Sequence, residues 1–311
     1  MRVKRETLIV GALCGAWYAL SSASNVVGKL VLLEFPFPLT LTLVQLASTA
    51  AYSAPALRAF RVRPAPAFPA RFYLRALLPL AFAKFLTTMF SQVSIWKVPV
   101  SYAHTVKATT PLWTAGLSWL LFGERVARGV QVSLLLIAAG VALASATELS
   151  FHPVGMSAAL AAAALLSLQH LFSKRLMKDT SLHHLRLLQV LSALALLPVV
   201  PAWALLEGGA ALAAARALSP GSALRLAADG ALAWLQAVAA FSVLSRVSPL
   251  GYAVASAAKR AAVVLASLLL LRNPAPPLNL AAMALTVLAV LAYNRARLLE
   301  RAPPPAPPLP I

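Results

Sequence analysis

Three cations stand inside segments that are otherwise too apolar to hold them. Lys107 lies in KVPVSYAHTVKATTPLW (97–113), and the pair Lys259 and Arg260 closes SPLGYAVASAAKR (248–260). An unpartnered charge near the middle of a bilayer costs ~2.5–3.5 kcal/mol on insertion scales, so a ligand or a counter-charge has to offset it. Arg presents a planar fork to oxyanions and Lys a point charge. The chemistry these residue types suit is therefore phosphate binding. Ser101, His104, Lys107 and Pro111 share one face at helical spacing, as do Tyr252, Ser256 and Lys259 or Arg260. Hydroxyl, imidazole and phenol could hydrogen-bond the remainder of a polar solute. The expected phosphate ligands are Lys107, Lys259 and Arg260; Ser91, His104, Gln236 and Tyr252 are the candidates for the organic part.

Counter-charge is scarce. Of eight acidic residues only Asp229 falls within an apolar segment, about six residues in. One carboxylate cannot neutralise three cations. Lys84 is a fourth intramembrane cation that could take Asp229, and Lys29 is a fifth. For Lys29 and Lys84 the sequence favours a structural role, snorkelling or bonding to backbone carbonyls.

The elements that carry these residues must be membrane helices. The chain is 60% hydrophobic and only 11% charged, with a mean hydropathy of +0.81, against ~45–50% and ~25% for a soluble domain. Apolar runs long enough to cross a ~30 Å hydrocarbon core recur along the length, and they do not alternate as barrel strands would. Ten spans are expected, at 8–29, 38–59, 76–96, 99–122, 129–147, 154–174, 185–206, 223–245, 248–271 and 278–296. With ten spans the loops alternate sides. Eighteen of the 27 Lys and Arg residues then fall on the side of the termini, four on the other, and five inside or at segment ends. That bias places both termini in the cytosol. It also makes the net charge of +19 a matter of topology, with no nucleic-acid partner implied.

Depth and symmetry point the same way. Lys107 is about eight residues into its span and Lys259 and Arg260 about eleven to twelve, ~12 and ~17 Å by helical rise. PVSYA (99–103) is echoed by PLGYA (249–253), and NVVGK (25–29) by HLFSK (170–174). Each half contains five spans, an odd number, so the second half enters the membrane inverted. Inverted repeats are an architecture of secondary transporters, with the substrate site near the midplane between halves. The fold class expected is all-α: ten transmembrane helices in two inverted five-helix repeats. The division is a short N-terminus (1–7), a transporter domain (8–297, with repeats at 8–147 and 154–296) and a Pro-rich, disordered cytosolic tail (298–311).

Enzyme chemistry finds no apparatus. There is no paired carboxylate for acid–base work, His183 and His184 lack a third metal ligand, and no Walker loop is present. No cofactor and no metal is expected. Cys14 has no intrachain partner.

The two cationic segments resemble those of the triose-phosphate translocator family, within the drug/metabolite transporter superfamily. NVVGK, ATELSF (146–151), LFSKRLMKDTSLHHLRLL (171–188) and LLLLRNP (268–274) are most similar to subfamily E of the nucleotide-sugar-type solute carriers. The resemblance covers about 6–298. It implies alternating-access exchange of phosphorylated solutes, with phosphate held at Lys107, Lys259 and Arg260. A His and a Thr of the plastid members fall on Thr88 and Ser91, and a plastid Tyr falls on Gln236. The closer subfamily would have Asn at Gly28, Ala237 and Ser256, and Thr at Ala258.

The reading is a secondary antiporter of a phosphorylated organic anion: a sugar phosphate, a phosphoenolpyruvate-like acid or a nucleotide sugar. Its partners would be that small molecule, a counter-substrate, membrane lipid and, as a homodimer, a second copy. The Golgi or endoplasmic reticulum membrane follows from the resemblance and from the lack of a transit peptide. Two alternatives are a non-transporting scaffold that keeps the fold, and a proton-coupled exporter of a neutral metabolite using Asp229 or His104.

Overall fold

The computed structural model describes residues 2–62, 68–180, 183–244, 246–247 and 249–301. Among them the chain forms ten helical rods, the fourth in two pieces. They are α1 (Arg2–Glu34), α2 (Pro38–Ala59), α3 (Ala70–Lys97, with a π-turn at Tyr73–Leu77), α4 (Val100–Lys107), α5 (Thr110–Phe122), α6 (Arg128–Ala146) and α7 (Pro153–Thr180). Then follow α8 (His184–Trp203, continued by a π-turn at Ala204–Gly208 and a segment Gly209–Ala215), α9 (Pro220–Leu244), α10 (Pro249–Leu271) and α11 (Pro277–Arg301). Five rods begin on proline, whose missing N–H costs nothing in the first turn.

The ten rods match the ten expected spans, and several outrun them. α1 reaches Glu34 rather than 29, and α8 reaches Ala215 rather than 206. α11 continues to Arg301, where Arg297 Nη1 donates to Glu300 Oε2 at 2.8 Å. The expected tail beyond Arg301, and residues 63–67 of the basic Pro-rich loop, lie outside the described residues.

Five rods could cross a bilayer by length and composition alone: Ala70–Lys97, Arg128–Ala146, Pro153–Met177, Leu185–Ala215 and Pro277–Glu300. Their outer faces carry bare leucines such as Leu135, Leu205 and Leu288, which suits lipid and would be unusual against water.

The packing carries the repeat. The first rod packs on the eighth and ninth, as the sixth packs on the third and fourth. The second packs on the eighth, as the seventh packs on the third. Second with seventh, fourth with ninth, and fifth with tenth pair across the halves. Adding five to a rod's place, modulo ten, returns this pattern. Because five is odd, the two halves are related by inversion across the membrane.

The fourth rod is not the single helix expected over 99–122. It breaks at Ala108 and Thr109, whose ψ angles of −9° and −6° form a tight turn. The cause is Pro111. It has no N–H for the Lys107 carbonyl four residues back, and its ring crowds that carbonyl. Pro111 therefore does not continue the face of Ser101, His104 and Lys107. Ser101 and Tyr102 are fully buried, with the Tyr102 hydroxyl donating to Ser145 Oγ at 2.8 Å.

At the end opposite the termini, polar contacts tie the halves together. The Glu207 carboxylate accepts from Leu39 N (3.0 Å), Thr40 N (2.8 Å) and Thr40 Oγ1 (3.1 Å). Trp203 Nε1 donates to Thr40 Oγ1 at 2.9 Å. Glu34 on α1 pairs with Arg225 on α9 and accepts from Ser222.

Candidate functional site

The break in the fourth rod builds the first part of the site. The orphaned Lys107 carbonyl accepts from Thr110 Oγ1 at 2.6 Å and from Arg260 Nη1 at 3.0 Å. Arg260 Nη2 reaches Thr110 Oγ1 at 3.4 Å. So Arg260, from the second half, replaces the backbone donor that Pro111 removed from the first. The two cationic segments singled out by sequence meet there.

Lys107 Nζ donates to Ser91 Oγ on α3 at 2.5 Å. Lys259 extends its ammonium to 5.2 Å from the ring centroid of Trp17, a cation–π contact with a buried indole.

Two adjoining cavities occupy the junction of the halves. The larger, about 360 Å³, is lined by Lys84, Lys259, Arg260, His170, Gln236, Ser256 and Trp17 among others and, among the described residues, by no carboxylate. The smaller, about 170 Å³, is lined by Ser24, Asn25, Gly28, Gln45, Thr87, Thr88, Ser91, Gln92, Ile95 and Gln236, with no charged side chain. Gln45, Thr88 and Gln236 belong to both. A more voluminous cavity of about 550 Å³ between α3 and α7 has mostly apolar walls with Arg75 and Arg175; it contains none of the site residues.

The expected residues take different places around these cavities. Lys259 and Arg260 line the larger one and Ser91 the smaller, while Gln236 faces both. Lys107 stands behind Ser91 rather than on a wall. His104 is one layer back: its Nε2 meets Asn25 Oδ1 at 2.8 Å. An amide oxygen only accepts, so the imidazole proton sits on Nε2. The backbone of Tyr252 lies in α10; its side chain is outside the described residues.

Lys29 behaves as the sequence suggested. Its Nζ donates to the carbonyls of Ile95 (2.8 Å), Trp96 (3.2 Å) and Val98 (3.2 Å). Lys84 does not. It lines the larger cavity beside Lys259 and Arg260, and it makes no ion pair with Asp229. The fully buried Asp229 instead accepts from Gln45 Nε2 at 2.7 Å through Oδ2. Asparagine at position 28 would collide there, because a Cβ on Gly28 would already stand 3.2 Å from Asp229 Oδ1. The polar wall of Asn25, Gln45, Thr87, Thr88 and Gln92 was the part sequence reasoning largely missed. Its signal was the run of amides and threonines on the inward faces of α1, α2 and α3.

Several known proteins are similar along nearly the whole chain. Phosphoenolpyruvate/phosphate translocator 3, chloroplastic, of Oryza sativa subsp. japonica is 35% identical over 93% of this chain and 75% of its own length. Phosphoenolpyruvate/phosphate translocator 2, chloroplastic, of Arabidopsis thaliana is 31% identical over 96% and 79%. Glucose-6-phosphate/phosphate translocator 1, chloroplastic, of Arabidopsis thaliana is 29% identical over 94% and 76%. A solved crystal structure of a protein 18% identical superposes with a TM-score of 0.54, over 92% of this chain and 99% of that one; it speaks for the fold alone. The model of the Triose-phosphate Transporter family matches residues 8–294. With ten helices in inverted halves and a cationic cavity at their junction, this chain belongs to the Triose-phosphate Transporter family.

Proposed function

We propose that this protein is a secondary antiporter that exchanges phosphorylated organic anions, with inorganic phosphate as one partner, by alternating access. The observation that carries the reading is the larger cavity: among the described residues its walls carry three cations, from both halves, and no carboxylate. Such a cavity is a poor place for a neutral solute and a good one for a phosphoryl dianion. Lys259, Arg260 and Lys84 would bind the phosphoryl oxygens. Lys107 would act through Ser91, and Gln236 and the Ser91 hydroxyl would reach the organic part. The similar plastid proteins, phosphate translocators by name, support the same class.

Exchange rather than uniport follows from charge. An empty cavity with unneutralised cations resists closure, whereas a loaded one is neutralised and can occlude, so the loaded form crosses more readily. A Golgi or endoplasmic reticulum membrane with cytosolic termini completes the reading, on the strength of the subfamily resemblance and the loop charges.

The test is counterflow. Proteoliposomes loaded with inorganic phosphate should take up labelled phosphate, and unloaded vesicles should not. Lys259→Ala should abolish the uptake while the protein remains folded. Equal uptake into loaded and empty vesicles would refute exchange, and an unaffected Lys259→Ala would refute the site.

A further inference from the structure

The groove of about 550 Å³ between α3 and α7 stands apart from the site, sharing no lining residue with either cavity at the junction of the halves. Neighbouring residues face opposite ways. Ala83 and Gln169 line the groove, whereas Lys84 and His170, next in the chain, line the larger cavity. The groove exists because α3 turns small side chains, Ala76, Pro79 and Ala83 at helical spacing, toward Leu168 and Phe172 of α7. Pro79 also changes the rod itself. It lacks the N–H that the Arg75 carbonyl would accept, and just before it Leu78 N bonds five residues back, to Tyr73 O. The π-turn so formed carries Arg75.

The two ends of the groove differ. Nearer the termini stand Arg75, early in α3, and Arg175, in the last turns of α7, each ~8 Å from its helix end by helical rise. Both are exposed. Arg175 lies 6.0 Å from the ring centroid of Phe122, a contact with the ring face that leaves guanidinium N–H groups for a ligand. Among the described residues neither arginine has a carboxylate partner. Toward the middle of the bundle the walls are apolar, with Gln169 the one polar side chain beyond the arginines. From Arg75 to Ala83 the groove follows α3 for ~12 Å. Phe172 on its wall is exposed, so the groove opens outward, where the bare leucines of the rods face lipid.

We propose that this groove binds one anionic phospholipid, its phosphate between Arg75 and Arg175 and an acyl chain along the apolar walls. Charge decides the occupant. Two unneutralised guanidiniums at headgroup depth call for an anion, and the apolar floor beneath them calls for a hydrocarbon chain. A free anion gains nothing from the floor, and a neutral lipid gains little from the mouth. The bound lipid would wedge α3 against α7 from outside, on the faces turned away from the substrate cavity. The inference needs only the membrane fold and stands independently of the antiport reading.

Native mass spectrometry of the purified full chain tests the site, with phosphatidylglycerol and phosphatidylcholine of matched acyl chains supplied in equal amounts. Wild type should retain one phosphatidylglycerol with ~30-fold preference, the worth of two basic side chains near a headgroup. The double variant Arg75→Gln/Arg175→Gln should reduce that preference to ~3-fold or less. Its lipid-free melting point should not change, since among the described residues neither exposed arginine holds another group by a hydrogen bond or ion pair. Ala76→Trp keeps both arginines and fills the groove, so it should lose the retained lipid as well; it decides the matter even where the double variant fails to fold. Excess inorganic phosphate should leave the lipid in place. Equal retention of the two lipids by wild type overturns the inference, as does a preference that survives the double variant or Ala76→Trp. Release of the lipid by inorganic phosphate overturns it too, in favour of a simple anion site.

Discussion

Arg260→Ala removes a side chain of the second half that reaches the broken helix of the first. In the structure its guanidinium donates to the Lys107 carbonyl and to Thr110 while it also lines the larger cavity. A hydrogen bond to a charged group is worth ~1.5–3 kcal/mol, so loss of one such bond to phosphate should raise Kd by ~10- to 150-fold. Thermal stabilisation of the purified protein reads this out. Phosphate at 100 times the wild-type Kd stabilises by ~2.7 kcal/mol. At the same concentration Arg260→Ala would retain only ~0.3–1.3 kcal/mol. The variant should also be less stable without ligand, because the Lys107 carbonyl loses the charged one of its two side-chain donors and keeps only Thr110 Oγ1, while Pro111 has no N–H to replace it. Arg260→Lys should fall between, keeping the charge but not the fork that serves carbonyl and cavity together. Full ligand stabilisation in Arg260→Ala would refute the assignment of Arg260 to phosphate. An unchanged ligand-free melting point would refute its role as a brace for the broken helix.

Three further outcomes follow from the geometry. Glu207→Gln should loosen the end opposite the termini, because its carboxylate holds two backbone N–H groups and the Thr40 hydroxyl of α2; a cysteine placed at Leu226, half-buried on α9 near that end, should label faster with a water-soluble maleimide than in the parent. The Ser222 hydroxyl and then the Arg225 guanidinium hold Glu34 below the usual carboxylate range, so its contribution to closure of that end is complete above the ordinary pKa of ~4.3 and is lost as pH falls through the depressed value; labelling should rise at the acid end in the parent and be insensitive to pH in Arg225→Leu. Gly140→Ala should destabilise by ~1–3 kcal/mol, since its Cβ would fall 2.5 Å from Thr286 Oγ1 and 3.1 Å from Thr286 N where α6 meets α11; no change in denaturation midpoint would contradict the close approach of those helices.

The sequence alone determined the class of fold and the kind of ligand chemistry. Ten apolar runs, an odd count in each half, a strong loop-charge bias and a cation excess in the membrane are all properties of composition and order along the chain. They survive because a bilayer leaves helices almost no alternative. Lys29 was also legible, since a lone lysine at a helix end has carbonyls within reach. The sequence did not determine which cations share a cavity. Lys84 and Lys29 look alike in sequence, yet one lines the site and the other is spent on the backbone of residues 95–98. Nor did Thr109, Thr110 and Pro111 reveal that the helix they interrupt would be repaired by Arg260 from 150 residues away. The polar contact between Asp229 and Gln45 was hidden most completely. A glutamine can turn either its oxygen or its nitrogen to a neighbour, and only the approach of Asp229 to Gln45, across α9 and α2, decides that the nitrogen faces the carboxylate.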